Sequence, residues 1–444
     1  MTSRPRVVIV GGGMAGARLA QQLGARQGGP EVTVLGEEPH AAYNRVLLAE
    51  VLAGQYPPHV IALPAPPDGT VRWRGGVRVV RIDRAERRVV CDDGALVPYD
   101  ALVLATGSNP VLPPFHGLFA EDGHELPRGV HAFRTMDDCL ALTAAAGPGC
   151  RAVVIGGGLL GVSAARALAR RGAGVVLAQQ GERLMERQLD ASAAALLRGH
   201  LEDLGVEVHT ECRVRGLTTE PAPGSGERRV RAVELSAGFP RTGAGGGIRL
   251  DADLVVLACG VRPRTGLARA AGLEVARGIV VDDRLATGDP RIFALGDCAE
   301  HAGVVYGLAG AAQEQADVLA RVLDGGPAGR DPAAPGPGPR YTGTRAVTRL
   351  TLGVPAAAGA AGPASPLDLA AFGETVPRPG DDVVELADAT RGAYRKIVVR
   401  GDRLRGGILL GDLGGVGTLA RTWEDDETLP GSPLLHLLTH DGGT

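Results

Sequence analysis

The chain has 444 residues, a net charge of −3 and 67 glycines, and arginine supplies every fixed side-chain cation except Lys396. That length allows two to four domains, each with its own core. The balanced charge, with no strongly basic segment, argues against nucleic acid or an anionic membrane surface as a partner. No apolar run approaches the ~18 residues of a membrane span, and the first predicted strand begins by Arg6, which leaves no room for a signal peptide. A cytoplasmic location is expected.

The apolar run Val7 to Val10 leads into Gly11-Gly12-Gly13-Met14-Ala15-Gly16, a pattern that predicts a strand, a tight turn and a helix. In such a turn the first glycine makes the bend, the second admits a pyrophosphate and the third lets helix pack on strand. The helix N-terminus offers free N–H groups and a positive dipole end to the phosphates. The next strand, Val32 to Leu35, is followed by Gly36 and then Glu37, 21 residues after Gly16. A carboxylate there accepts hydrogen bonds from a ribose, with Glu38 as the alternative. Arg88 to Pro98 reads as a β-meander, and Asp100 to Leu104 as a buried strand closed by Ala105-Thr106-Gly107.

The whole arrangement then recurs. Ala152 to Ile155 runs into Gly156-Gly157-Gly158-Leu159-Leu160-Gly161, 145 residues after the first copy. A second meander is predicted over Arg229 to Leu250, and Asp253 to Leu257 forms a second closing strand ending in Ala258-Cys259-Gly260. The closing glycines stand 96 residues after Gly11 and 104 after Gly156, so a duplicated plan is the economical reading. The copies differ after the second strand. Val175 to Ala178 ends in Gln179 and Gln180, with no acid. Loss of the carboxylate removes the group that most repels a 2′-phosphate, so the choice between NADH and NADPH stays open. Arg183 is either a phosphate partner or a solvated arginine. Further on, Thr287 to Asp297 reads as a strand ending in Gly296-Asp297 before a helix, where a carboxylate can bind the hydroxyls of a flavin ribityl chain and the helix end can face a pyrophosphate.

The fold class expected is α/β: two Rossmann-like dinucleotide-binding domains plus a small α+β C-terminal domain. The predicted boundaries are 1–115 and 269–324 for a first dinucleotide-binding domain in two parts, 116–268 for a second, 325–340 for a Pro/Gly linker and 341–444 for a C-terminal interface domain, structural or dimer-forming. The last carries strand candidates Ala346 to Leu352, Tyr394 to Val399 and Leu404 to Leu410, an Ala/Gly/Pro-rich insertion around Pro355 to Pro366 and a C-terminal helix. The six cysteines, Cys91, Cys139, Cys150, Cys212, Cys259 and Cys298, form no C-x-x-C pair and no metal-ligand spacing, and read as reduced, mostly buried residues.

Gly11 to Gly16, Ala105 to Gly107, Gly156 to Gly161 and Ile292 to Asp297 together resemble the two-dinucleotide-binding-domain flavoproteins related to glutathione reductase and the ferredoxin reductases. The closer resemblance is to the flavoprotein module at the N-terminus of the assimilatory NAD(P)H nitrite reductase large subunit and to nitrate reductase electron-transfer subunits. It is carried by Glu37 to Val46, Leu184 to Asp190, Gly260-Val261-Arg262-Pro263-Arg264 and Val305 to Leu308. It covers roughly residues 5 to 325, more weakly Tyr394 to Asp412.

The resemblance implies FAD in the first domain and NAD(P)H in the second. Position by position, it puts Arg45 near the isoalloxazine, Val79 at the adenine, Thr106 and Gly107 at the flavin phosphates, Asp297 at the ribityl chain and Leu308 beside the flavin. Arg45 also reads as a surface ion-pair partner. The expected FAD set is therefore Gly11, Gly13, Met14, Ala15, Gly16, Glu37, Arg45, Val79, Ala105, Thr106, Gly107, Gly296, Asp297 and Leu308. The expected NAD(P) set is Gly156, Gly158, Leu159, Leu160, Gly161, Gln179, Arg183 and Gly260. Two departures stand out: Ser163 occupies a position where relatives commonly carry a glutamate near the nicotinamide, and Gln179 replaces the ribose acid. No protein acid or base is obligatory, because the flavin does the chemistry; Arg45 and Ser163 are the residues expected near the rings. No metal is expected.

His40 to Ala53 contains no cysteine, so the sulfur relay of disulfide and peroxide reductases is missing. The expected activity is an NAD(P)H oxidoreductase that passes electrons through FAD to an iron–sulfur, molybdenum or sirohaem protein of nitrate or nitrite assimilation. The alternatives are a rubredoxin or ferredoxin reductase of another pathway and a flavin-based redox sensor.

Overall fold

The computed structural model describes residues 4–67, 69–120, 123, 125–222, 224, 227–237, 247–324, 338–345, 347–351, 367–431 and 434–438. The insertion expected around Pro355 to Pro366 lies outside the described residues, as does the predicted linker up to residue 337. The chain divides into two compact units. Met1–Leu48, Pro57–Asn109 and Val261–Thr344 make the first, and Ala49–Tyr56, Pro110–Gly260 and Arg345–Thr444 the second.

Each unit is built on a five-stranded, all-parallel sheet whose inner strands are near-continuous apolar runs, as expected when both faces are covered. In the first the strand order is Ile292–Ala294, Ala101–Leu104, Arg6–Val10, Glu31–Leu35 and Val71–Arg74. In the second it is Val130–Ala132, Leu254–Leu257, Arg151–Ile155, Gly174–Ala178 and Val206–His209. Strand for strand the orders match, although the outermost strand beside the closing strand comes from opposite ends of the respective chain segments. Each sheet carries a three-stranded antiparallel meander. In the first unit it consists of Val79–Asp83, Arg88–Cys91 and Leu96–Pro98, and in the second of Cys212–Pro221, Arg228–Ala237 and Gly247–Asp251.

The repeat includes a staple at the foot of each sheet. Arg6 donates its backbone N–H, Nε and Nη2 to Asp100, at 2.8, 3.1 and 3.0 Å. Arg151 does the same to Asp253, at 3.1, 3.0 and 3.0 Å. Both are bidentate charge-assisted pairs that tie the first strand of a copy to its closing strand. The Arg151 bonds lower the pKa of Asp253 to about 2.

The C-terminal sheet of the second unit is antiparallel, in the order Thr348–Thr351, Asp368–Gly373, Arg403–Gly411, Ala393–Arg400 and Asp382–Asp388. The helix Val416–Glu424 packs on it through Leu419, against Phe372, Ile397 and Leu409. Two of these strands, Asp368–Gly373 and Asp382–Asp388, were not expected from sequence. The stretch expected to be helical directly after Gly296-Asp297 is instead a short 3₁₀ turn, Gly296–Cys298, and a strand, Ala299–His301. The helix itself, Ala309–Asp324, begins after a further loop. Its buried Gln315 reaches back to accept the Gly296 N–H at 2.7 Å, which joins helix and turn in space rather than in sequence.

Candidate nucleotide-binding sites

The strand Arg6–Val10 passes through the glycine turn into the helix Met14–Gly24, and Arg151–Ile155 passes likewise into Leu159–Arg170. Gly11 and Gly156 have φ of +118° and +110°, where a side chain is strained, and a Cβ on either would overlap the carbonyl oxygen of Ala105 or Ala258. A Cβ on Gly16 or Gly161 would overlap the carbonyl of Gly11 or Gly156, so the third glycine is what lets helix and strand close up. The middle glycines are roofed by a side chain: a Cβ on Gly12 would meet Trp73 at 2.9 Å, and one on Gly157 would meet Leu184 at 2.6 Å.

These contacts leave both helix N-termini open. Among the described residues no side chain caps Gly13 or Gly158, and neither first turn contains an acid. A Cβ on Gly158 would meet nothing within 4 Å, and one on Gly13 would meet only Arg45 Nε, at 3.9 Å. Helix first turns with uncapped N–H groups and no acid of their own fit a diphosphate. The half-buried Met14, Ala15, Leu159 and Leu160 form the first turns of these helices.

Around the first cradle, Glu37 is half-exposed and bonds the guanidinium of Arg264, which also bonds Asn109. The backbone of Arg264 is fixed as well. Its N–H donates to the Gly107 carbonyl at 2.9 Å, and its carbonyl accepts from Thr106 Oγ1 at 2.8 Å. Glu38 instead pairs with Arg45 and accepts the Tyr43 hydroxyl at 2.6 Å, while Arg45 donates to that hydroxyl at 2.8 Å and lies 4.9 Å over the Tyr43 ring. The ion-pair reading of Arg45 therefore describes one of its contacts. Ala105 is buried and Gly107 takes φ +72°. Asp297 is half-buried and accepts from Ser108 Oγ at 2.9 Å, and Gly296 takes φ +77°. Leu308 is half-buried at the start of the helix Ala309–Asp324, and Val79 is buried on the first strand of the meander.

Around the second cradle, Gln179 turns its amide inward, where Oε1 accepts the Gly157 N–H at 2.7 Å. Arg183 is half-exposed, 3.9 Å from Glu182. Gly260 is exposed, with φ +95°, and its carbonyl accepts from Val111 N at 2.9 Å. Ser163 is buried and returns its hydroxyl to the Leu159 carbonyl at 2.8 Å, so it is satisfied within its own helix.

Sequence reasoning missed Arg166, three residues further along that helix. Its side chain is 1% exposed and pairs with Glu50, while its Nε and Nη1 and Glu50 Oε2 are buried with no hydrogen-bond partner among the described residues. At the C-terminal end of the same helix, Arg171 Nη2 donates to the Thr143 carbonyl at 2.9 Å. The signal was an arginine on the apolar face of an Ala/Leu-rich helix, which demands a buried carboxylate somewhere in the chain. The cysteines are free, four buried and two half-buried, and burial pushes the thiols of Cys139 and Cys259 up to about 11. Among the described residues no helix is long and apolar enough to cross a membrane.

Two parallel sheets of one plan, each presenting an open glycine cradle, define a pyridine-nucleotide oxidoreductase of the two-dinucleotide type. The chain belongs to the pyridine nucleotide-disulphide oxidoreductase family, whose pattern matches residues 5–316, and it is an NAD(P)H-dependent oxidoreductase of the class that uses FAD and NAD(P)H. It is 34% identical over 413 residues to the nitrite reductase [NAD(P)H] of Bacillus subtilis, covering 92% of this chain and 46% of that one. To the assimilatory nitrate reductase electron transfer subunit of the same organism it is 33% identical, covering 92% and 48%. The chain thus spans about half the length of these relatives. The ferredoxin--NAD(+) reductase component of the biphenyl dioxygenase system of Paraburkholderia xenovorans is 34% identical over 66% of this chain and 67% of its own. Among solved structures, putidaredoxin reductase in covalent complex with putidaredoxin matches with a TM-score of 0.78 at 24% identity, over 98% and 99% of the two chains, a likeness of fold.

Proposed function

We propose that the chain is a reductase module that takes electrons from NAD(P)H and delivers them through FAD to a separate redox protein. The preferred partner is an iron–sulfur, molybdenum or sirohaem centre of nitrate or nitrite assimilation. The observation that carries the reading is the pair of open glycine cradles combined with the absence of any cysteine from His40 to Ala53. FAD, when bound, takes an electron pair from a nicotinamide and releases it one electron at a time.

The residues have separable tasks. Gly13 to Gly16 present N–H groups to the flavin diphosphate, alongside Thr106 and Gly107, while the N–H groups of Gly11 and Ala105 donate to the Leu35 and Val10 carbonyls and hold the turn. Glu37 exchanges Arg264 for ribose hydroxyls, and Asp297, steadied by Ser108, holds the ribityl chain. Val79 and Leu308 supply apolar contact, and Arg45 stands at the flavin end. Gly156, Gly158 to Gly161 and Gly260 serve the nicotinamide nucleotide, with Gln179 and Arg183 toward its adenosine. Residues 1–115 and 269–324 form the FAD-binding domain, 116–268 the NAD(P)-binding domain, 325–340 the linker and 341–444 the C-terminal domain. The partial match to a dioxygenase ferredoxin reductase favours a second reading, in which the acceptor is a small ferredoxin.

The test is an anaerobic stopped-flow titration of the FAD-loaded protein with NADH and, separately, NADPH. Rapid bleaching by one nucleotide, followed by reoxidation on adding an iron–sulfur acceptor, is expected. Failure of both nucleotides to bleach the flavin refutes the reading.

A further inference from the structure

The loop from Gln179 to Asp190, which carries Arg183, is held at both ends. At its near side Met185 donates its N–H to the Gly157 carbonyl at 2.8 Å, Leu184 roofs Gly157, and Glu211 N donates to the Gly181 carbonyl at 2.9 Å. At its far side Asp190 caps the helix Ala191–Asp203, accepting from Ala193 N at 3.0 Å. The same carboxylate has a second attachment. Its Oδ2 accepts the Tyr394 hydroxyl at 2.7 Å and Lys396 Nζ at 2.9 Å, both from the C-terminal strand Ala393–Arg400. Lys396 is 5% exposed, and its ammonium also lies 3.1 Å from Glu385 on the adjacent strand.

A helix needs only one cap acceptor. A buried lysine and a buried tyrosine brought onto that acceptor from a separate sheet are costly groups that do nothing for the cap itself. Burial disfavours the Asp190 carboxylate, yet the Ala193, Lys396 and Tyr394 bonds outweigh it and leave its pKa below the usual range. What the arrangement does achieve is a continuous hydrogen-bonded path. It runs from the C-terminal sheet through Asp190 and the buried Leu189 and Met185 to the carbonyl of the middle glycine of the second cradle.

We propose that Lys396 and Tyr394 are positioning residues for nicotinamide-nucleotide binding: through Asp190 the C-terminal sheet sets the shape of the loop that receives the adenosine end. This rests on the assignment of the second cradle to NAD(P)H. It assigns the C-terminal sheet, which the family pattern ending at residue 316 does not reach, a part in nucleotide affinity.

The experiment compares the FAD-loaded full chain with Lys396→Met and Tyr394→Phe, measuring NAD⁺ and NADP⁺ affinity by calorimetry, flavin content by absorbance, and melting temperature. Weakening of the preferred nucleotide by about 2- to 30-fold in Lys396→Met is expected, with a smaller change in the same direction in Tyr394→Phe and flavin content unchanged in both. Tyr394→Phe removes one hydrogen bond, so it reports even if the lysine variant folds poorly. Coupling is reciprocal. Lys396 is the only lysine, so acylation of a single ε-amine, read by mass spectrometry, should slow when nucleotide is bound. A lowered melting temperature with unchanged nucleotide affinity in both variants makes the network merely structural and overturns the proposal. A parent protein that binds FAD but neither nucleotide overturns the assignment of the second cradle, and this inference with it.

Discussion

Removing Glu50 should destabilise the second unit more than any surface substitution. Arg166 is buried in the helix Leu159–Arg170, and among the described residues its side chain hydrogen-bonds Glu50 alone. Two of its nitrogens and one Glu50 oxygen are already unsatisfied, so the pair lacks the additional bonds that let a buried ion pair offset its desolvation. Arg170 lies close by, its pKa lowered by burial and then by the Arg166 charge, with Glu50 acting against both. Glu50→Leu therefore leaves one guanidinium buried and a second facing it. Breaking one side of such a pair costs about 3–5 kcal/mol. At about 2–4 °C per kcal/mol, that is a fall of about 6–20 °C in melting temperature. Arg166→Met should cost less, because Glu50 is 13% exposed and can recruit water. The double variant should recover most of the loss, because apolar replacement of a whole buried pair is close to neutral or stabilising. The assay is guanidinium unfolding followed by tryptophan fluorescence in a Trp73→Phe background. Trp423, packed 5.3 Å from Phe372 in the second unit, is then the sole reporter. If the double variant is as unstable as the two single losses added together, the ion-pair account is refuted.

Glu37→Ala should change the stability of the flavin-free protein by less than about 1 kcal/mol, because the Arg264 pair it breaks is half-exposed. It should nonetheless release FAD on dilution, seen as a rise in free-flavin fluorescence, and retention equal to the parent would remove Glu37 from the flavin site. Asp253→Asn tests the foot staple. The folded pKa of about 2 lies below the ordinary 3.8, so the carboxylate stabilises the fold fully above pH 3.8 and loses that effect as pH falls toward 2. The gap in melting temperature between parent and variant should therefore be constant above about pH 4 and shrink below it. A gap that stays unchanged down to pH 2.5 in a scanning-fluorimetry series would contradict this assignment.

Features that depend on backbone geometry were legible in the sequence. Gly11, Gly16, Gly156 and Gly161 stand where a carbonyl oxygen leaves no room for a Cβ, so the requirement survives as a letter at a fixed spacing. The matching strand orders follow from apolar runs repeated with those turns. Features that depend on side chains meeting across the chain were not. Asp100 and Asp253 were visible as the starts of closing strands, but their partners lie 94 and 102 residues away. Glu37 could be placed by its offset from the glycines, while Arg264, which holds it, lies 227 residues further on. The strand Asp382–Asp388 escaped notice because it is an exposed edge with acids at 382, 385 and 388, a composition that keeps edges from pairing and hides the strand from an apolar-run criterion. The helix expected after Asp297 failed for a related reason. Gln315 brings a helix to the Gly296 turn that the local sequence does not continue into.

The duplication makes the two cradles a controlled comparison, since foot staple, turn and helix are held constant while the residue after the second strand varies. In the first copy that strand is followed by Gly36 and the outward Glu37, whose charge is matched by Arg264. In the second it is followed at once by Gln179, whose amide folds inward onto the Gly157 N–H. An amide in that place fixes the turn without adding charge, and it spends on the protein the group that would otherwise reach a ribose. Nothing anionic at residue 179 then opposes a 2′-phosphate, and nothing there rewards its absence. On the proposed assignment, discrimination between NADH and NADPH passes from the strand end to Arg183 and its loop, a segment whose far end is anchored by Asp190. A guanidinium supplied from a loop can favour a phosphate only as far as the loop holds it in place. On that assignment, the bonds that hold residues 180–190 would enter the cofactor preference.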